Sequence, residues 1–437
     1  MKKHKRYELD ENELPKYWYN ILPDLPKPLP PPLSPATNKP INPKDLEALF
    51  PKELIKQEIS SEKKIQIPRD IREKLQQIRP SPLIRAYGFE KALNTKTRIY
   101  YKYEGEKSPT GSHKVNTAIA QAYYNMKEGV ETLSTETGAG QWGSALAYAT
   151  NIFNLGCEIY MVRASYDQKP HRKTIMELFG AKVFPSPSSN TEFGQNLLEK
   201  DPNNPGSLGI AISEAIFQSL RDTKIKYSLG SVLNHVLLHQ TIIGLEAKEQ
   251  FKMAEEDKNG PEYIVGCVGG GSNFAGLAYP FLHDKFKNGY EMKAVAAESV
   301  AASKMSDGVY KYDFGDTAKT TPLLKMHTLG SDYIPPPIHA GGLRYHGCAP
   351  SLSILIDSNH VSPVKFTQQE AFKAADIFIK TEGIIPAPES SHAIAATINI
   401  ARHLKEKEAT ILFNLSGHGL FDLTGYKKFI TNELEQS

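Results

Sequence analysis

Lys114, in the run Ser112-His113-Lys114-Val115-Asn116, stands between an apolar strand-like segment and an alanine-rich helical one. At the start of a helix the positive end of the dipole opposes a second positive charge and favours the neutral amine, which can attack an aldehyde to form a Schiff base. By itself this is also the position of an ordinary solvated lysine, so the chemical reading needs a phosphate cradle, a carboxylate site and a ring partner elsewhere. Three loops offer them. Gly269-Gly270-Gly271-Ser272-Asn273 follows an apolar strand-like run and opens a helix, so its N–H groups and the helix dipole can converge on a phosphate. It matches neither the nucleotide-hydrolase nor the dinucleotide-fold glycine pattern, and its bland reading is a packing turn. Glu136-Thr137-Gly138-Ala139-Gly140-Gln141-Trp142-Gly143 also runs from strand to helix and offers amides to a second anion, such as a substrate carboxylate. Glu136 at its mouth can accept and return protons, since a carboxylate screened from water has its pKa pushed toward neutrality; otherwise it caps its own loop. Asn414-Leu415-Ser416-Gly417 ends a further apolar run and sets the Ser416 hydroxyl where it can face a ring nitrogen, although Ser-Gly also simply makes turns.

The elements that must position these loops alternate. Beyond Arg79, short β-rich runs at 97–103, 130–135, 157–162, 182–185, 263–268, 293–297 and 410–414 interleave with helical segments at 115–127, 143–154, 169–179, 209–220, 238–253, 273–286, 367–380 and 391–404. That is the pattern of βαβ units on a parallel sheet. The charged stretch 255–260 reads as a domain junction, and 299–350, rich in Gly, Pro, Tyr and His without periodicity, as a loop-rich insertion able to close over a site. Helical signals cover 43–56 and 69–78. The proline-dense strip 23–40 predicts an extended segment that cannot join a central strand and wraps over a surface; the sharper alternative is a ligand for a proline-binding domain.

At 437 residues, two cores of ordinary size are expected. With 52 basic and 49 acidic residues the net charge is +3, too small for the field of a nucleic-acid binder. Cys157, Cys267 and Cys348 are widely spaced, without a Cys-x-x-Cys pair, and suggest neither a disulfide framework nor a side-chain metal site. No apolar run reaches about 18 residues, and the basic start Lys2-Lys3-His4-Lys5-Arg6 is not followed by an apolar core. A cytoplasmic protein without membrane association is expected.

Taken in order, Ser-His-Lys-Val-Asn at 112–116, Glu-Thr-Gly-Ala-Gly-Gln at 136–141, Gly-Gly-Gly-Ser-Asn at 269–273, Glu-Gly-Ile-Ile-Pro-Ala-Pro-Glu-Ser-Ser-His-Ala at 382–393 and Leu-Ser-Gly at 415–417 resemble the tryptophan synthase β chains, from about Arg79 to the C-terminus. The long N-terminal arm is similar to that of their second, divergent subgroup. The resemblance implies an α/β protein of pyridoxal phosphate fold type II, with two doubly wound domains, mostly parallel sheets and the cofactor between them. The implied division is an arm at 1–79, an N-terminal domain at 113–240, and a C-terminal domain at 80–112 with 241–437. The implied reaction joins indole to the β-carbon of serine, releasing water. By the same resemblance Lys114 is the Schiff-base lysine and His113 lies near the phosphate, which Gly269, Gly270, Gly271, Ser272 and Asn273 bind. Thr137, Gly138, Ala139, Gly140, Gln141 and Trp142 hold the substrate carboxylate. Glu136 is the acid/base, Glu389 lies beside the ring, and Ser416 faces its nitrogen. A homodimer, an α chain supplying indole, and a monovalent cation held near the glycine loop by backbone carbonyls are further expectations of the family.

Three positions depart from the family pattern. Trp142 replaces a histidine, His418 follows Ser-Gly in place of an arginine, and Arg344 replaces an aspartate that meets the substrate hydroxyl. Reversing that sign in a buried site changes the interaction by several kcal/mol. The expectation is that Arg344, with His346, holds an anionic group on the donor, so that O-phosphoserine is used in place of or beside serine; the alternative is an arginine turned to solvent or paired with a carboxylate. Rival readings of the whole chain are a serine or threonine dehydratase or a threonine or cysteine synthase, which share the lysine and glycine loops, and a non-enzymatic binding module using the proline strip.

Overall fold

The computed structural model describes residues 5–255 and 260–435, so most of the segment expected as a domain junction lies outside the described residues. Two sheets carry the architecture. A seven-stranded sheet runs in the order Arg6–Tyr7, Leu83–Arg85, Arg98–Tyr103, Thr410–Leu415, Tyr263–Cys267, Lys293–Ser299, Val361–Phe366; its first two strands are antiparallel and the remaining five parallel. A four-stranded sheet, ordered Lys182–Ser186, Gly156–Val162, Thr132–Thr137, Ile225–Ser228, is parallel throughout. The parallel strands read as apolar runs because helices cover both faces: Ile411, Leu412, Phe413, Ile264 and Val265 are fully buried.

All seven expected strands and all eight expected helical segments beyond Arg79 form, with shifted ends. One segment is broken and another starts a residue late. The segment 238–253 divides into Asn234–Gln240 and Ile242–Ala254, with the Thr241 hydroxyl donating back to Leu238 O between them; the segment 169–179 starts at Pro170, whose ring suits a first turn. Strands Leu83–Arg85, Ile225–Ser228 and Val361–Phe366 were not anticipated. The first is three residues long, and the others lie at sheet edges, where Pro363 is tolerated and short runs suffice. The region 299–350 is not merely loop, since Val309–Phe314 and Leu323–Thr328 form an antiparallel hairpin.

The N-terminal arm differs from expectation. Its proline strip is extended only in its middle, starting in the short helix Leu22–Asp24 and folding back so that Leu33 bridges Pro40; Leu33 also bridges Leu323 at the hairpin, and Pro31 O accepts from the Tyr312 hydroxyl. The strip therefore joins the edge of a peripheral hairpin, where missing amides cost nothing, while avoiding both main sheets. Tyr17–Tyr19 and Lys64–Gln66 pair with each other, and the buried Trp18 indole packs on His239 at 4.5 Å.

A buried charge cluster fixes the start of the helix Val115–Lys127. Arg79 donates to Glu246 at 2.6 and 2.8 Å, to Glu104 at 2.8 and 3.1 Å, and to Asn116 Oδ1 at 2.9 Å. Lys102 adds a 2.7 Å bond to Glu246. Two cations and two carboxylates balance, and Asn116, two residues after Lys114, is tied in by Gln240 as well. Removing one carboxylate leaves a buried charge uncompensated. Glu246→Gln is expected to destabilise the protein by about 3–5 kcal/mol, read as a lower midpoint in thermal or denaturant unfolding.

Candidate active site

Each loop singled out above follows the carboxyl end of a parallel strand: Thr132–Thr137, Tyr263–Cys267 and Thr410–Leu415. That is where open α/β sheets leave crevices. One cavity there is lined by His113, Lys114, Glu136, Thr137, Gly138, Ala139, Gln141, Trp142, all of Gly269 to Asn273, Glu389 and Ser416. Gly140 and Arg344 are not among its lining residues. Gly140 caps the helix Gln141–Ile152 with φ +92, packed so closely on Arg172 that a Cβ would stand 2.8 Å from that side chain.

Lys114 occupies the N-cap position of its helix and stays partly exposed to the cavity, its Nζ donating to Gly230 O at 3.1 Å. Burial lowers its pKa to about 8, against the opposing charges of Glu136 and Glu389. Desolvation is thus the largest cause that makes the neutral amine accessible. The same Gly230 oxygen accepts from Ser272 Oγ at 3.1 Å, so amine and glycine turn are registered on one atom. His113 bridges them further: its Nε2 lies 3.3 Å from Ser272 Oγ and its amide donates to Ser416 O at 2.9 Å. Burial, followed by the Lys114 charge, holds the imidazole neutral with a pKa of about 3.

The glycine turn needs its glycines. A Cβ on Gly269 would stand 2.0 Å from Gly342 O, one on Gly270 would stand 2.6 Å from Ser231 Oγ, and Gly271 has φ +123. Among the described residues the amides of Gly269, Gly270 and Gly271 meet no acceptor, so three donors are left beside the helix Ser272–Asn288, whose dipole also favours an anion. The loop after Glu136 behaves likewise: Thr137 Oγ1 accepts from Gly143 N at 3.1 Å, which leaves the amides of Gly138 to Trp142 without acceptors among the described residues. Trp142 lines the cavity with its ring, while its indole N–H turns away to Thr135 Oγ1 at 2.7 Å.

Glu136 accepts from the Tyr227 hydroxyl at 2.6 Å. Burial raises its pKa to about 7, with the Tyr227 bond and Lys114 opposing. Glu389 lines the cavity and accepts from Gln141 Nε2 at 2.9 Å and from Gly342 N at 2.8 Å. Ser416 Oγ lies 2.7 Å from Ser390 Oγ and 3.7 Å from Cys267 Sγ, a neutral setting without a carboxylate partner. Arg344 is 6% exposed; its Nη2 donates to Pro335 O at 2.8 Å and its Nε has no acceptor among the described residues. The expected companion, His346, instead meets Phe314 O at 2.9 Å.

Three features escaped the sequence. Gly230 and Ser231 form a fourth cavity loop, signalled only by a glycine after the unanticipated strand Ile225–Ser228, and the next residue, Val232, is held at φ +77, a strained setting for a β-branched side chain. Tyr227 came from the same strand. The arm residues Pro32, Ile41, Leu46, Leu49, Phe50 and Leu54 line the far end of the cavity, together with Ile212, Ile216, Leu229 and Leu233. The arm is therefore a wall of the site and not only a surface wrap.

Comparison with known proteins decides the family. Residues 74–417 match the model of the pyridoxal-phosphate dependent enzymes. The chain is 59% identical to the tryptophan synthase beta chain of Thermococcus gammatolerans, over 98% of this chain and 97% of that one. It belongs to the tryptophan synthase β chain family. Proteins described as tryptophan synthase beta chain 2 are 58% identical in Pyrococcus furiosus and 56% in Aeropyrum pernix, each over 98% of this chain, covering 95% and 96% of the relatives. A crystal structure of an L-serine ammonia-lyase from Rhizomucor miehei superposes with a TM-score of 0.61 at 15% identity, over 81% of this chain and 98% of that one; this likeness concerns the fold alone.

Activity that needs Glu136 ionised should rise with pH through about 7, because protonation below that value removes the base. Tyr227→Phe removes a donor that favours the carboxylate. The acid limb of the kcat/KM profile is expected to move upward by about one pH unit, as a pH series on both proteins would show.

Proposed function

We propose that this protein joins indole to the β-carbon of L-serine, giving tryptophan and water, with pyridoxal phosphate held between its two sheets. The residues fit that group: a cavity-facing amine of lowered pKa, three acceptor-free glycine amides, and the Ser416 hydroxyl in a neutral setting. When bound, pyridoxal phosphate supplies an aldehyde carbon for the amine and a conjugated ring that takes up electron density from the substrate α-carbon. Lys114 exchanges for the substrate amine and then removes the α-proton at its Nζ. The turn from Gly269 to Asn273 holds the phosphate, and the Thr137 to Trp142 loop receives the substrate carboxylate on its amides. Ser416, whose hydroxyl sits in a neutral setting, would be the residue to face the pyridine nitrogen, and a hydroxyl there would not stabilise a protonated ring, which would favour loss of the β-substituent over transamination.

Glu136 carries the reading most directly. Its carboxyl lies in the same cavity as Lys114, is held near neutrality by burial, and adjoins an apolar end walled by Ile212, Ile216 and Leu233 that suits a flat apolar ring. There it accepts the C3 proton of indole while the arm and hairpin exclude water. The same reading divides the chain into the arm at 1–79, a domain at 113–240 carrying the four-stranded sheet, and a domain of 80–112 with 241–437 carrying nearly all of the larger one. It also includes a homodimer working in the cytoplasm with an α chain as the indole source; among the described residues no helix is long and apolar enough to cross a membrane.

Purified protein supplied with the cofactor, serine and indole is expected to form tryptophan, followed by product chromatography. Lys114→Ala should lower the rate by more than about a thousandfold. Consumption of serine to pyruvate, with no tryptophan, would instead favour a dehydratase.

A second donor, O-phosphoserine, is favoured by one observation: Arg344 is a buried cation that among the described residues has no carboxylate partner and an unsatisfied Nε. Burial lowers its pKa to about 10, a cost that an anionic substituent would offset. Reaching the cavity requires the 335–344 loop to move. Competition between the two donors is expected to favour the phosphorylated one, and Arg344→Ala to reverse that preference; equal use of serine, unaffected by the substitution, would end this reading.

A further inference from the structure

Lys304 is a buried cation that the reaction does not use. It is fully buried, its Nζ donates to Val268 O at 2.8 Å, and its nearest carboxylate oxygen, Glu298 Oε2, stands at 3.9 Å. Glu298 is itself taken up by the amides of Met305 at 2.9 Å and Ser306 at 2.7 Å. The stronger contact of the ammonium is therefore with the backbone oxygen at the entrance to the glycine turn. Other oxygens of that segment are also occupied: Cys267 O accepts from Asn273 Nδ2 at 2.9 Å, and Gly270 O accepts from Ala349 N at 2.8 Å. Among the described residues no group of three His, Cys, Asp or Glu side chains could supply metal ligands.

A monovalent cation held near this turn by backbone carbonyls is what the family resemblance led us to expect, and these oxygens do not fit it. A carbonyl already accepting a charged N–H is a poor ligand, and an ammonium in a low-dielectric interior repels a second cation nearby. We propose that the Lys304 side chain is a resident monovalent cation, fixing the rear of the phosphate-binding turn so that this enzyme needs no alkali-metal ion there. Holding Val268 O on one side turns the amide of Gly269, on the same peptide plane, the other way, while Ala349 N holds Gly270 O and so orients the amide of Gly271. Lys304 is thus a positioning residue: it acts on the phosphate through the peptide groups of the turn. The inference rests on the pyridoxal phosphate reading for its consequence, though not for its geometry.

The test uses the holoenzyme in buffers of equal ionic strength whose only monovalent cation is potassium, sodium, ammonium or tetramethylammonium, the last too large to enter. In the wild type, the visible band of the bound cofactor and its affinity are expected to be the same in all four. In Lys304→Met, affinity in tetramethylammonium should fall by about tenfold, the loss of one charge-assisted hydrogen bond, and recover in ammonium or potassium. Crystals soaked in thallium(I) give a readout independent of cofactor: no anomalous peak beside Val268 O in the wild type, and one in the variant. A wild-type peak there, a wild-type cofactor affinity that varies several-fold with the cation, or a variant defect that no small cation restores would each overturn the proposal. Should the variant not fold, the wild-type cation series and soak still decide it. Failure of the wild type to bind pyridoxal phosphate at all would defeat the proposed function instead, and the thallium result would still speak on Lys304.

Discussion

One carbonyl oxygen, that of Gly230, accepts hydrogen bonds from both Lys114 Nζ and Ser272 Oγ. The constraint is severe, because an aldehyde and a phosphate on one small ring must meet an amine and a glycine turn at a fixed separation. The amine starts the helix Val115–Lys127 and the turn ends the strand Tyr263–Cys267, so their register depends on a loop belonging to neither. Val232, two residues past Gly230, is held in the left-handed region, which fits a loop whose path is dictated by its contacts rather than by its own preference.

Around that point the interior handles charge in two ways. Where charge is structural, it is paired: Arg79 and Lys102 are matched by Glu104 and Glu246, and Asn116 passes that rigidity to the helix start. At the cavity, charge is left incompletely paired, so that Lys114 falls to about 8 and Glu136 rises to about 7. Two groups whose environments push them toward each other across neutral pH can exchange protons at little cost, which is what acid–base chemistry in one pocket requires. Glu389 is paired differently. By accepting from Gln141 and Gly342 it ties the loop after Glu136, at the smaller sheet, to the 341–344 turn.

Much of this was legible beforehand. Parallel strands buried on both faces are continuous apolar runs, and each of the anticipated ones exists; the glycine turn and the loop after Glu136 announced themselves by strand-to-helix position. The edge strands Ile225–Ser228 and Val361–Phe366 were illegible because short, half-exposed segments carry little hydrophobic signal, and with the first of them went Tyr227 and the Gly230 loop. Lys304 was invisible for a different reason: a lysine in a non-periodic segment looks like a surface residue until the fold encloses it.

The sequence by itself determined the fold class and singled out Lys114, Glu136, the glycine turn and the loop after Glu136, all of which the fold gathers at one cavity, since each rests on local chemistry next to a recognisable strand or helix. Tertiary structure alone decided what those groups experience. Desolvation lowers the proton affinity of Lys114; the arm becomes a cavity wall; and Arg344 and Lys304 are buried among carbonyls. These are sums over neighbours distant in the chain, and burial energies of that kind have no local signature for a sequence to display.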